Sequence, residues 1–334
     1  MKPAIDAREV ITVEIGGIRV YGTHHKTRER KEEPPSGPGE ENSIGILFLS
    51  AGVLPRAASG DAAVYWADCL AKSGFRSFRF DPPGLGDSDG DLSTSDFDTL
   101  VNSGACGSAV SGIVNHLVER YKLRSVIAIG HCAGAVTALY SAAANGRIKG
   151  LILLDPYFHV QPENEIQDVL VRSQWRIIRE LMGDRPAQSR LRDAGMKFLS
   201  GLRSVYHHLD YVRLLPQRKS LPSTANLPLI HCWNQLISTG IPMLILQSPS
   251  SVPKPGEFDY LVHLQPPSSR EGCVTVKLIE GTTHAFADRQ GKEGVRKFIE
   301  QWLSEQGLIV GLPHTRPPAP QDTEHRSPEL ADAI

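Results

Sequence analysis

The sequence predicts an α/β fold, with a mostly parallel sheet wrapped by helices. Short apolar runs recur along the chain, and helical or loop segments separate them, an alternation that suits parallel strands joined by crossovers. Some runs, such as "GILFL" and "VIAI", are apolar at successive positions, as expected where a sheet is covered on both faces. The chain has 334 residues, 40% hydrophobic and 22% charged, enough to bury a sizeable core.

The elements follow in order. "VITVEIGGIRVYGTH" reads as a hairpin whose Gly16-Gly17 pair can take the positive φ of a primed turn. "KTRERKEEPPSGPGEEN" is charged, rich in Pro and Gly and without apolar periodicity, so it reads as a solvated loop. "SIGILFLSAG" is a strand, "AAVYWADCLAKSG" an amphipathic helix stopped by Gly74, and "FRSFRFD" the next strand. Further strands are expected at "RSVIAIG", "IKGLILLD", "IPMLILQS" and "VTVKLIEG".

One interval breaks the rhythm. Residues 157–240 offer no convincing buried strand, while "IQDVLVRSQWRIIRELMG" and "RLRDAGMKFLSGLRSVYHHLDYVRLL" carry apolar residues at helical spacing. This interval is expected to be a helical cap inserted after the sixth strand, dividing a core made of 10–156 and 241–305. The Pro-rich, polar stretch 306–334 is expected to be a disordered tail.

Composition excludes several classes. A net charge of −1 gives no electrostatic reason to expect nucleic acid or an anionic membrane as partner. The start, "MKPAIDAREV", lacks the apolar core of a signal peptide, and no apolar run approaches the roughly 18 residues that span a bilayer. The five cysteines (Cys69, Cys106, Cys132, Cys232, Cys273) are widely spaced with no C-x-x-C pair, which argues against a zinc site or a disulfide framework. A cytoplasmic protein without metal or cofactor is the expectation, since a G-x-G-x-x-G is also missing.

The chemistry is concentrated at "IAIGHCAGAV". An apolar run stops at Gly130, His131, Cys132, Ala133 and Gly134 follow, and a helical stretch comes next. Strand, sharp turn and helix, with a glycine two residues either side of one reactive residue, is the layout of a nucleophile elbow, with cysteine where serine is usual. The helix N-terminus and a nearby histidine favour negative charge on a sulfur held there.

Four stretches in order resemble the α/β-hydrolase fold over roughly residues 10 to 305. "FDPPGLGDSDG" (80–90) resembles the turn D-x-x-G-x-G-x-S after the fourth strand, "GHCAG" (130–134) the elbow, "LLDPYF" (153–158) the end of the sixth strand, and "EGTTHAFAD" (280–288) the histidine loop. The chain also resembles the cysteine-elbow branch found beside exosortase and polyketide pathways, in which a short Pro/Arg stretch like "AGVLPR" follows the third strand.

The resemblance implies roles. Cys132 would be the nucleophile and His284 its base. The family usually places the acid after the seventh strand, where this chain has Ser251, with Glu257 and Asp259 further on; Asp155, ending the sixth strand, is the favoured alternative because a strand end holds a carboxylate more rigidly than a loop with three prolines. The oxyanion hole would come from the backbone N–H groups of Val53 and Ala133. Arg56 is a candidate for pairing with an anionic substrate or for bonding a carbonyl, His131 for lining the pocket, and Trp175 for contacting substrate from the cap.

The expected function is cysteine-dependent action on an ester or thioester of a small or polyketide-like acyl substrate, free or carrier-bound, by hydrolysis, acyl transfer or chain release. A lyase that eliminates an acyloxy group from an acidic intermediate is an alternative, with His284 as base and Arg56 holding the ring. A non-catalytic ligand-binding member of the fold is another. A homodimer is compatible with the sequence.

Overall fold

The computed structural model describes residues 7–27, 43–90, 94–160, 221–254, 257–264 and 272–308. Its centre is a sheet of eight strands: β1 (Arg8–Ile15), β2 (Ile18–His25), β3 (Ile44–Leu49), β4 (Arg76–Phe80), β5 (Ser125–His131), β6 (Ile148–Leu154), β7 (Met243–Gln247) and β8 (Val274–Leu278). They lie in the order β1-β2-β4-β3-β5-β6-β7-β8. β1 pairs antiparallel with β2 and β2 antiparallel with β4, and the remaining pairs are parallel.

The hairpin turns at Gly16 and Gly17, whose φ values of 59° and 82° are those the turn demands of residues without a Cβ. The central strands are buried on both faces, β5 at every position, which explains why they read as unbroken apolar runs.

Helices cover the two faces. On one, α1 (Ala62–Lys72) packs with the C-terminal α7 (Arg289–Glu305); Trp66, Leu70, Ile299 and Trp302 join Ile127, Ile152 and Leu244 in one core. On the other lie α2 (Thr94–Asn102), α3 (Cys106–Tyr121), α4 (Ala133–Ala144) and α5 (Leu227–Thr239), whose Val114, Leu139 and Trp233 meet Leu47, Leu153 and Ile245. One short turn of helix, α6 (Tyr260–His263), follows β7.

Most of the interval expected to form a cap, residues 161–220, lies outside the described residues, and Trp175 with it; so does most of the expected tail, from 309 onward. The end of that interval is a helix packed on the sheet: α5 buries Leu229, Trp233 and Leu236, and Asn226 caps it by accepting from Leu229 N–H at 3.1 Å. No helix among the described residues is long and apolar enough to cross a membrane.

Candidate active site

Strand ends bring the candidate residues together. β5 delivers Cys132, which sits between the strand and α4 at φ 51°, ψ −114°, a strained conformation for a residue with a Cβ. Its own N–H donates to Leu154 O at 2.9 Å, and its carbonyl accepts from Ala135 and Val136. Such a turn needs bare backbone on either side. A Cβ on Gly130 would lie 2.3 Å from Gly134 O, and one on Gly134 would lie 2.3 Å from Leu49 O. The second contact places the start of α4 directly against the end of β3.

Among the described residues, neither the Ala133 N–H nor the Val53 N–H has an acceptor. One is the first amide of α4, and the other belongs to the turn after β3, so both come from the two elements that Gly134 allows to touch. Free amides at a helix start are suited to receiving developing negative charge.

β6 ends at Asp155, itself at φ 46° and almost fully buried. Its carboxylate accepts from Ser248 N–H at 2.7 Å, from Ser248 Oγ at 2.7 Å and from His284 Nδ1 at 2.8 Å. Ser251 Oγ also lies 3.4 Å from His284 Nδ1. Glu257 and Asp259 are occupied elsewhere: Glu257 accepts from Lys254 N–H at 2.7 Å, and Asp259 caps α6 through Leu261 and Val262 N–H.

His284 follows β8 on a loop whose fold is held by Thr282 Oγ1 donating to Asp288 at 2.6 Å and Asp288 accepting from Gly291 N–H at 2.8 Å. Burial opposes charge on its imidazole, but hydrogen bonds to Asp155 and Cys132 outweigh it and lift the ring to about 10. The side chain remains 43% exposed, so it is open to a ligand while bonded to Asp155.

His131 does not line the main cavity. It is buried beneath His284, with its Nε2–H donating to the His284 carbonyl at 2.7 Å; the carbonyl can only accept, so the tautomer is set. Burial, reinforced by the His284 charge, pushes its ring down to about 4. It is a neutral brace for the histidine loop.

Arg56 is also directed elsewhere. Its guanidinium pairs with Asp81 and with Asp87 at 2.7 Å, its Nε donates to Thr23 Oγ1 at 3.2 Å, and its N–H donates to Asp81 at 2.6 Å. It ties the turn after β3 to the turn after β4, where Ser88 Oγ and the Asp87 N–H also bond Asp81.

Cys132, Asp155 and His284 open into a cavity of about 500 Å³ walled by Tyr157, Phe158, His159, Phe258 and Tyr260 and reached by Asp98 of α2. Burial raises the pKa of the Tyr157 phenol far above its ordinary value, helped by the charges of Cys132 and Asp98. Ser248, Tyr157 and Asp98 are absent from the sequence-level candidates. Only the polar burst "QSPSS" closing an apolar strand hinted at the first. Among the described residues, no group of three or more His, Cys, Asp or Glu side chains is arranged to hold a metal ion.

Comparison with known proteins supports the same architecture. The family described as alpha/beta hydrolase fold matches residues 48–179. Solved structures with the same fold include an esterase from Pyrococcus furiosus (12% identity, TM-score 0.53, covering 89% of this chain and 90% of that one). They also include the haloalkane dehalogenase DatA from Agrobacterium tumefaciens C58 (16%, 0.52, 90% and 97%). A third is Est1E from Butyrivibrio proteoclasticus with ferulic acid bound (15%, 0.50, 88% and 99%). No curated protein matches the sequence. At these identities the likeness is one of fold, and the fold is that of the α/β-hydrolases.

Proposed function

We propose that this chain, with its α/β-hydrolase fold, is an enzyme that transfers an acyl group from an ester or thioester through Cys132. The observation that carries the reading is that Cys132 and His284, the latter bonded to Asp155 at 2.8 Å, open together into one cavity. Two of the similar structures are named esterases, or by a name of that form, and one of these holds a small aromatic acid, which fits a small-molecule substrate here.

The proposed chemistry runs in two halves. With the proton already held on His284, the Cys132 sulfur attacks the substrate carbonyl carbon. The oxyanion is met by the Ala133 and Val53 N–H groups. As the carbon–oxygen or carbon–sulfur bond breaks, His284 returns the proton to the leaving group, and a thioester acyl-enzyme remains. Water, an alcohol or an amine then gives its proton to His284 and attacks that thioester, releasing Cys132. Asp155 orients the ring throughout and opposes its loss of charge.

Elimination from an acidic intermediate has less support. It calls for a cation to hold the anionic ring, and Arg56 is committed to Asp81 and Asp87 while no Lys or Arg lines the cavity among the described residues.

Intact-protein mass spectrometry after incubation with simple acyl thioesters tests the proposal. An added acyl mass that maps to Cys132 and disappears in Cys132→Ala is the expected result. Near-normal turnover by Cys132→Ala would overturn it.

A further inference from the structure

The cavity carries a second chemical feature, which the proposed acyl transfer does not use. Asp98, on α2, lines the same space as Cys132. Both side chains reach the space that Tyr157 also walls.

The cavity's other carboxylates are already satisfied. Asp155 is held by Ser248 and His284, Glu257 by Lys254 N–H, and Asp259 by two amides of α6. Asn102, one turn beyond Asp98, is satisfied as well: its Nδ2 donates to the Asp98 carbonyl at 2.9 Å, and its Oδ1 accepts from Asn226 Nδ2 at 3.3 Å. The Asp98 carboxyl has no hydrogen-bond or ion-pair partner among the described residues, and burial raises its pKa. A carboxylate in such a place gains from any donor that reaches it. It also repels a second negative charge, and among the described residues no Lys or Arg lines the cavity to offset that.

Resting on the reading of Cys132 as the reacting group, we propose that Asp98 is the specificity-determining residue of this cavity, selecting ligands that carry a hydroxyl or ammonium donor away from the reacting carbonyl and rejecting anionic ones. The aromatic side chains of Tyr157, Phe258 and Tyr260 supply apolar surface to the same cavity, so the favoured ligand is an acyl group with an apolar body and a donor-bearing end.

Two measurements on the full chain test this. The first needs no turnover. Methanethiosulfonates of similar size but opposite charge, trimethylammonioethyl and sulfonatoethyl, are allowed to label Cys132, and the labelled peptide is followed by mass spectrometry. Rates are divided by those for a small free thiol. The cationic reagent should be favoured by about tenfold, the scale of one nearby charge at a partly screened site, and Asp98→Asn should bring the ratio near one. The second compares kcat/KM for acyl thioesters ending in methyl, hydroxyl, ammonium or carboxylate. Asp98→Ala should lower the preference for donor-bearing chains over methyl by about tenfold. Asp98→Asn should lose preference for ammonium and keep it for hydroxyl, because the amide oxygen still accepts.

A charge ratio unchanged in Asp98→Asn, with the order of acyl preference also unchanged, would overturn the inference while leaving acyl transfer intact. Charge-selective labelling that depends on Asp98 without any thioester turnover would sustain it and remove the acyl-transfer reading. Melting temperatures of the variants equal to that of the parent exclude unfolding as the cause.

Discussion

Asp155 Oδ2 lies 2.8 Å from His284 Nδ1, and the carboxylate that makes this bond stands at the end of β6, while Ser251, on the loop after β7, lies 3.4 Å from the same nitrogen. The arrangement is stiff because Ser248, at the end of the neighbouring strand, gives both its N–H and its hydroxyl to the same carboxylate. Asp155→Asn should therefore lower kcat/KM by roughly 10- to 1,000-fold, less than in a serine triad because a thiol is easier to activate. Glu257→Gln and Asp259→Asn, whose carboxylates bond local backbone, should each change it by less than about threefold. A larger loss in either would move the acid to the β7 loop.

Ser248 should act through Asp155. Ser248→Ala keeps the backbone donor and removes the hydroxyl, so one of three bonds to a buried carboxylate is lost. A fall in kcat of roughly 3- to 30-fold, with KM little changed, is expected from misorientation of the His284 ring. Ser248→Thr should restore part of it. A change in KM alone would show that Ser248 touches substrate instead.

Much of the candidate site's layout is legible in the sequence, because several of its parts are local. The elbow is a contiguous phrase and Gly130 is required by contacts within it, although Gly134 answers to Leu49 O and Ser50 O on a distant strand end; His284 sits in a similar short phrase. Asp155 was legible from its position at the end of an apolar run. The parts that were not legible depend on which strand ends meet. Nothing near Arg56 in sequence announces that Asp81 and Asp87 will claim its guanidinium, since that pairing exists only because β3 and β4 are neighbours. Asp98 is equally opaque: on a helix whose apolar residues point at the core, an acidic residue reads as solvated until the cavity beside it is seen.

The elbow's glycines make a stability prediction. Gly134→Ala would drive its Cβ to 2.3 Å from Leu49 O and 2.6 Å from Ser50 O, both main-chain atoms of a central strand end that cannot turn aside. The start of α4 must then move away from β3, at a cost of about 3 kcal/mol or more. Because the same shift separates the Ala133 and Val53 amides, any folded fraction should also turn over slowly. Urea denaturation monitored by tryptophan fluorescence measures the first effect. A midpoint within error of the parent would show that β3 and α4 do not approach this closely.

His24 supplies the clearest pH dependence. Its ring is buried, stacked 4.7 Å from Phe78 and tilted against Tyr121 at 4.7 Å, and neither nitrogen has a hydrogen-bond partner. Burial, and then the charge of Arg76, lowers its pKa from 6.5 to about 4, with Lys26 and His25 adding to the effect and Glu9 opposing it. The sign follows directly. Between pH 6.5 and about 4 the unfolded chain takes up a proton that the folded chain refuses, so stability is lost as pH falls through that window and is intact above it. His25 and His131, also pushed down to about 4, act in the same direction. His24→Phe keeps the stacking surface and removes one of the three. At pH 7.5 it should change stability by less than about 1 kcal/mol, whereas at pH 4.5 it should gain about 2 kcal/mol over the parent, or roughly 5 °C in melting temperature. Calorimetric melting of both proteins from pH 4.5 to 7.5 decides the matter. Two curves that fall in parallel as the pH drops would mean that His24 is protonated in the folded state and reaches water or Glu9.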